Sequence, residues 1–463
     1  MGCVIFSKVI GLCRKVIGSS TSPVDEVAGA TTSGLAVETI PREQHVVSRS
    51  NMSVNAIKVL NRLNRHGYKA YLVGGGVRDL LLGHSPKDFD IATNATPEQI
   101  KELFKNCRLI GRRFRLAHIL FGREVIEVAT LRGHHQETDE GNLSKQNDSG
   151  MLLRDNVYGT IDEDAERRDF TVNALYYDIA DHSIIAYGGG INDLNNGTLR
   201  MIGDPATRYK EDPVRMLRAI RFATKLNMTI SEETRAPIKP MSHLMKSIPA
   251  ARLFEEYQKL FLSGKALDNY KLLNEYQLFE SLFPMCADLL EDNQGGKEDK
   301  LFQLVCANTD KRIASEQRVT PAFIIAAFLW YPIEVQAQSV MNESGLSYYD
   351  AMMVAMNDVC DAQCRSVSIP KRFSAMARDM WGLQLRLPRR SGAKAFKLLT
   401  HPKFRAGYDL LLIRGEIEGG EVAELAQWWT TFQHAPEKVQ RDMVRKVSGP
   451  RRKRRSPKKK TQD

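Results

Sequence analysis

The chain has 463 residues, 43% of them apolar, and a formal net charge of +11, which suits a large enzyme of about two to four domains and excludes a small or disordered chain. No run of about 18 apolar residues occurs, so no transmembrane helix is expected. The seven cysteines follow neither a disulfide framework nor zinc spacing, which predicts reduced thiols and a cytoplasmic protein, with Cys360 and Cys364 in a helix core.

Residues 1–18 set Val4, Ile5, Val9, Leu12, Cys13 and Val16 on one helical face. That pattern fits a surface-lying amphipathic helix, with peripheral membrane contact, partner docking and plain disorder all open. Met1-Gly2 lacks the Ser/Thr that a myristoylation signal requires. Residues 19–36, rich in Ser, Thr, Gly and Ala, read as a linker, so residues 1–50 are expected to precede the first folded domain.

From about Asn55 to Gly190 helix and strand patterns alternate. Tyr71-Leu72-Val73 reads as a short buried strand ending in Gly74-Gly75-Gly76, with a helix over Val77–Leu82. A glycine turn opening a helix lets backbone N–H groups approach a triphosphate, because no Cβ intervenes. Gly75, Gly76 and Arg78 are therefore candidates for seating phosphates. Gly-rich turns are common, however, and alone signify little.

Asp88-Phe89-Asp90-Ile91-Ala92 alternates as a half-buried strand, which puts both carboxylates on one face. Two like charges on an apolar strand are costly unless a divalent cation neutralises them, and hard Mg²⁺ takes carboxylate and phosphate oxygens. Asp88 and Asp90 are the candidate ligands of two Mg²⁺ ions, for which Mn²⁺ could substitute. The competing reading is two surface aspartates capping a loop.

Thr96-Pro97-Glu98-Gln99 predicts a helix start with a capping box. Ala117–Phe121 and Glu124–Thr130 predict a hairpin around Gly122-Arg123. Glu127 then shares a face with Val125 and Ala129 and needs a partner, either metals or an arginine such as Arg113 or Arg132. Beyond Gly190 the pattern is almost wholly helical. Asp212–Ala223 reads as one helix in which Asp212, Arg215 and Arg218 recur at three-residue spacing, a surface ion-pair pattern if nothing else accompanies it.

The positive charge is concentrated late in the chain: net +9 over residues 369–408 and +7 over 449–463, leaving −5 elsewhere. Polyanion binding is the expected consequence. Lys371, Arg372, Arg389, Arg390, Lys394 and Lys397 lie in a stretch interleaved with Phe373, Trp381, Phe396, Phe404 and Tyr408, as a groove that stacks the bases of a single strand requires. About half of those aromatics are assigned instead to helix cores. The tail bearing Arg451, Arg452, Lys453, Arg454 and Arg455 should be disordered and bind RNA without sequence preference.

Gly75-Gly76 followed by Asp88-Phe89-Asp90 resembles the signature of the polymerase-beta-like nucleotidyltransferases. The segments 167–175, RRDFTVNAL, and 211–223, EDPVRMLRAIRFA, resemble two further motifs of the tRNA CCA-adding enzymes and bacterial poly(A) polymerases. Within that group 109–118, LIGRRFRLAH, is similar to the poly(A) polymerase version found in gamma-proteobacteria. The likeness runs from about Ile40 to about Phe432. It implies an α/β nucleotidyltransferase head with a mixed sheet (51–200), an all-α neck that binds RNA and nucleotide (201–290), a helical body with C-terminal RNA-binding helices (291–440) and a disordered basic tail (441–463).

By the same resemblance the activity is template-independent polyadenylation: AMP from ATP is added to RNA 3′ ends with release of pyrophosphate, promoting RNA turnover. Asp169 is expected as the third active-site carboxylate, with Glu127 second in rank. Arg168 is a further triphosphate candidate, and Glu211, Asp212, Arg215 and Arg218 form the protein template that reads the base. Expected partners are single-stranded RNA 3′ ends, RNA-decay or RNA-chaperone proteins and, through residues 1–18, a membrane surface, for a chain expected to be a monomer. The rivals are a CCA-adding enzyme, a nucleotidyltransferase of small molecules or proteins, and a non-catalytic RNA-binding protein. The aromatic basic segment argues against the second, and the retained carboxylates argue against the third.

Overall fold

The structure, a computed structural model, describes residues 34–111, 115–133, 144–146, 152–155, 157–291 and 295–448. The helix expected over 1–18, the segment Arg112–Phe114, and the basic tail with Arg451 to Arg455 lie outside the described residues. The chain divides into two compact units, with the boundary in sequence between Met241 and Ser242.

The first unit is built on a mixed eight-stranded sheet. Its strands are β1 (Val37–Ile40), β2 (Ala70–Val73), β3 (Asp90–Thr93), β4 (Cys107–Ile110), β5 (Leu116–Phe121), β6 (Glu124–Thr130), β9 (Leu175–Asp178) and β10 (Ile184–Tyr187). A separate pair, β7 (Ser144–Gln146) and β8 (Leu152–Asp155), is antiparallel. The sheet order is β1-β10-β9-β2-β3-β6-β5-β4, and every neighbouring pair is antiparallel except β3 with β6. The first sheet strand thus begins before residue 51, just after the 19–36 linker and inside the 1–50 stretch expected to precede the first folded domain. It stays because Val37 and Leu35 pack against the buried cluster of Tyr71, Val73, Tyr176 and Tyr187, area that no free linker could cover.

Local chemistry explains the elements around the sheet. Helix α1 (Val54–Arg65) buries Ala56, Val59, Leu60 and Leu63, one helical stripe, and Ser53 caps it by accepting from the N–H groups of Asn55 and Ala56. Helix α2 (Gly75–Leu81) follows β2 directly. Helix α3 (Pro97–Leu103) starts on the Thr96/Gln99 capping box with proline in its first turn, as its sequence predicts. The hairpin of β5 and β6 also forms as expected. Helix α4 (Ile161–Arg167) carries a second capping box, Thr160 with Glu163.

Helices α5 (Gly190–Asn196), α6 (Pro205–Glu211) and α7 (Val214–Leu226) complete the part of this unit that bears on the site. The single helix expected over Asp212–Ala223 begins only at Val214. Pro213 explains the difference: the residue before a proline is driven out of helical geometry, and Asp212 is extended, with φ −151° and ψ 91°.

The second unit is helical throughout its described residues. One core packs Tyr257, Phe261, Tyr270, Phe279, Phe283 and Phe328 edge to face. A second gathers Leu383, Leu387, Phe404, Tyr408, Trp429 and Phe432. Cys360 is buried in the helix Tyr348–Ser366. Among the described residues no single helix is long and apolar enough to cross a membrane.

Candidate active site

The site assembles where β2 ends. Gly74 adopts φ +63° and ψ −126°, a conformation open to glycine and strained for other residues, and it donates its N–H to the carbonyl of Leu175. A Cβ there would stand 3.0 Å from the Arg168 guanidinium, and one on Gly76 would approach the Asp88 backbone. The turn is therefore threaded between β9 and the segment carrying the aspartates.

Asp88 and Asp90 are both exposed; the strand itself starts at Asp90, so Asp88 stands just ahead of it. The parallel pairing of β3 with β6 sets Asp90 directly opposite Glu127. Loss of hydration in this cleft, followed by the negative charges of Glu127 and Asp88, pushes the Asp90 carboxyl up to about 6. Of the arginines expected beside Glu127, Arg113 lies outside the described residues; the His118 ring stands 3.3 Å from the Glu127 carboxylate. Three carboxylates facing one cleft with a surplus of negative charge match in type the oxygen donors that Mg²⁺ takes. Among the described residues no three such side chains already converge into a finished cage.

Asp169, the expected third carboxylate, is placed differently. It is buried and accepts from Arg218 Nε at 2.7 Å, from Asn173 Nδ2 at 3.2 Å and from the Phe170 N–H at 3.0 Å. Burial works to raise its pKa, but Arg218 and Asn173 outweigh that and hold the carboxyl at about 2. Its charge is already compensated, whereas that of Glu127 bears on Asp90.

Arg78 does not extend toward open phosphate space. It is 2% exposed and donates to Asp79 at 2.7 and 2.9 Å and to Asn173. Asn173 accepts from Arg78 and donates to Asp169, which in turn accepts from Arg218. This buried relay fastens α2, and with it the glycine turn, to α7. Arg168 is likewise a brace: it donates to Asp164 at 3.1 Å, to the Tyr176 hydroxyl at 2.7 Å and to the Asn173 carbonyl at 3.1 Å. Asn173, Asp164 and Tyr176 were not singled out from the sequence, although Asn173 stands inside the RRDFTVNAL segment.

The expected base-reading group gathers at the break between α6 and α7. Glu211 accepts from Arg208 at 2.9 Å and from Arg215 at 2.8 Å. Arg208, also missed in the sequence, donates to the carbonyls of Arg167 and Arg168 at 2.8 Å. Burial and then the charge of Arg215 lower its pKa to about 10. Asp212 receives the Val214 N–H at 3.3 Å. Arg218 donates to Asp169.

In the second unit Lys371, Arg372, Arg389, Lys394 and Lys397 are exposed and Arg390 is half-buried. Of the aromatics interleaved with them, Trp381, Phe404 and Tyr408 are core residues and Phe373 and Phe396 are half-buried. Helical spacing alone could not separate a stacking face from a packed one.

A mixed sheet that sets a glycine turn beside paired aspartates has the architecture of a nucleotidyltransferase head. The solved Bacillus stearothermophilus CCA-adding enzyme in complex with CTP shares that fold, with a TM-score of 0.57 and 23% identity over 82% of each chain. Three family profiles match here: Poly A polymerase head domain over residues 70–200, Probable RNA and SrmB- binding site of polymerase A over 227–290, and Polymerase A arginine-rich C-terminus over 344–461. Poly(A) polymerase I of Salmonella typhimurium is 52% identical over 98% of either chain. That of Haemophilus influenzae is 51% identical over 85% of this chain and 87% of its own. A CCA-adding enzyme of Lactobacillus helveticus is 36% identical over 50% of this chain and 55% of its own. The chain belongs to the bacterial poly(A) polymerase family.

Proposed function

We propose that this protein extends RNA 3′ ends with AMP from ATP, without a nucleic-acid template, and releases pyrophosphate. The observation that carries the chemistry is the cleft in which Asp90 faces Glu127 across the β3–β6 register with Asp88 beside them. Near-full-length identity to poly(A) polymerases I carries the choice of AMP and RNA.

Asp88, Asp90 and Glu127 would hold the divalent cations. Bound there, Mg²⁺ would lower the pKa of the RNA 3′-hydroxyl and neutralise charge on the departing pyrophosphate. The Gly75 and Gly76 N–H groups face the triphosphate, and Arg78 and Arg168 act as positioning residues that keep the turn in shape. Asp169 belongs with these, since its carboxyl locks Arg218 and Asn173 into the relay. Glu211 is held between Arg208 and Arg215, which fixes one carboxylate and one guanidinium beside each other. That pair matches the N6 donor and N1 acceptor of adenine. Catalysis built this way is positioning plus electrostatics, with no covalent intermediate on the protein.

The test is AMP incorporation into an unstructured RNA primer by Asp88→Ala and Asp90→Ala. The expected result is a rate reduced by about 10³-fold or more, with RNA affinity within two-fold of wild type. Undiminished incorporation in Asp90→Ala removes the basis of the proposal. RNA-decay proteins and a membrane surface touching residues 1–18 are the further partners we propose, and the cytoplasm the compartment.

A further inference from the structure

The sequence places base-stacking aromatics inside the basic stretch 369–408, where three of the five are core. Two rings from elsewhere in the second unit take that place. The Arg389 guanidinium stands 5.0 Å over the ring of Tyr349, and that of Arg390 stands 5.4 Å over the ring of Trp428. Tyr349, on the helix Tyr348–Ser366, is 41% exposed. Trp428, on the helix Gly420–His434, is half-buried: it stacks on Phe432 at 4.6 Å and 14°, and meets Trp429 edge-on at 4.9 Å. It borders an open groove of about 700 Å³ lined by Ala423, Glu424, Gln427, Thr431, Val439 and Met443.

The two arginines are neighbours because the helix Lys371–Arg386 ends before Pro388 and the next, Ala393–Leu399, begins after Gly392, whose φ is +59°. Among the described residues neither guanidinium has a carboxylate partner, although the surrounding stretch is +9. An unpaired guanidinium resting on an aromatic face is a preformed cation–π pair that still offers its fork to a phosphate. Two such pairs built on consecutive arginines, each with an accessible ring, present the phosphate donors and stacking surfaces that a single strand needs.

We propose that Tyr349 with Arg389, and Trp428 with Arg390, form a two-platform clasp for single-stranded RNA. Bases stack against the Tyr349 ring and enter the groove at Trp428. The arginines take the intervening phosphates, and the Glu424 carboxylate keeps the phosphates on the arginine side by repulsion. The clasp holds the body of the strand, since the reacting 3′ end belongs to the carboxylates of the other unit. This rests on the reading of RNA as substrate and adds where the strand is gripped.

The experiment uses the full chain, with binding read without nucleotide or divalent cation and AMP addition assayed separately with ATP and Mg²⁺. Trp330, Trp381 and Trp429 are 0–1% exposed, so fluorescence quenching by a short oligo(A) RNA reports Trp428. Quenching is expected with oligo(A) and not with an abasic oligomer of equal charge. Tyr349→Ala and the double variant Arg389→Gln/Arg390→Gln should each weaken oligo(A) binding about five-fold or more. Both should keep kcat for AMP addition within two-fold at saturating primer while KM for the primer rises. Equal quenching by the abasic oligomer, or unchanged affinity in both variants, overturns the clasp; the latter is also the result expected if the groove takes a protein segment. Wild type that quenches but adds no AMP leaves the clasp standing and removes the polymerase reading, whereas AMP addition without quenching removes the clasp alone.

Discussion

Asp90→Asn should make the protein more stable and inactive at once. The ionised carboxyl is held at about 6 instead of its ordinary 3.8 by lost hydration and by Glu127 and Asp88. At neutral pH that difference corresponds to about 3 kcal/mol, and solvent screening of so exposed a side chain reduces it to on the order of 1 kcal/mol. The amide removes this cost, so thermal unfolding in the presence of a chelator should shift upward by about 2–4 °C. The pH dependence has a definite sign. As pH falls below 6 the folded wild type takes up the proton before the unfolded chain does, its penalty disappears by about pH 4, and the two curves converge. Added Mg²⁺ should raise the melting temperature of wild type more than that of the variant. A variant less stable than wild type at pH 7.5, or a gap that widens on acidification, would show that the Asp90 carboxylate does not carry this cost.

Glu127→Gln removes the largest charge acting on Asp90, so the acid limb of the pH–rate profile should move to lower pH while the maximal rate falls about ten-fold or more; an unmoved limb would place Glu127 outside the site. Glu211→Gln leaves Arg208 and Arg215 without their shared anion; discrimination of ATP over CTP should drop about ten-fold, with a stability loss of about 2 kcal/mol by urea titration. Gly74→Ala must adopt φ +63° with its methyl 3.0 Å from Arg168. Chemical denaturation should show a cost of about 1–3 kcal/mol, and KM for ATP should rise.

Short-range chemistry is the part of this protein that its sequence displays. The glycine turn, the Thr96 capping box and the β5–β6 hairpin depend on residues within a few positions of each other, and all three form. The Asp90–Glu127 pairing joins strands 37 positions apart through a parallel register, which no local pattern encodes. Asp169, inside the RRDFTVNAL motif, is legible by resemblance, whereas the facing of Glu127 and Asp90 is not. Arg78 is legible as a cation in a helical first turn, but its partner Asn173 is 95 positions away, so its burial is not. Pro213 did signal the break between α6 and α7, and the regular spacing of Asp212, Arg215 and Arg218 masked it. In the second unit several helices offer aromatics at core spacing, and only packing separates Trp381, which is buried, from Trp428, which is half-open.

RNA 3′-end extension by AMP is tested most simply by supplying purified protein and Mg²⁺ with an RNA primer that is not a tRNA, and ATP, CTP, GTP or UTP singly, with products resolved by gel. Long ladders are expected with ATP and little extension with the other three. Addition confined to a few C and A residues, and only on a tRNA lacking its 3′ end, would contradict polyadenylation as the activity.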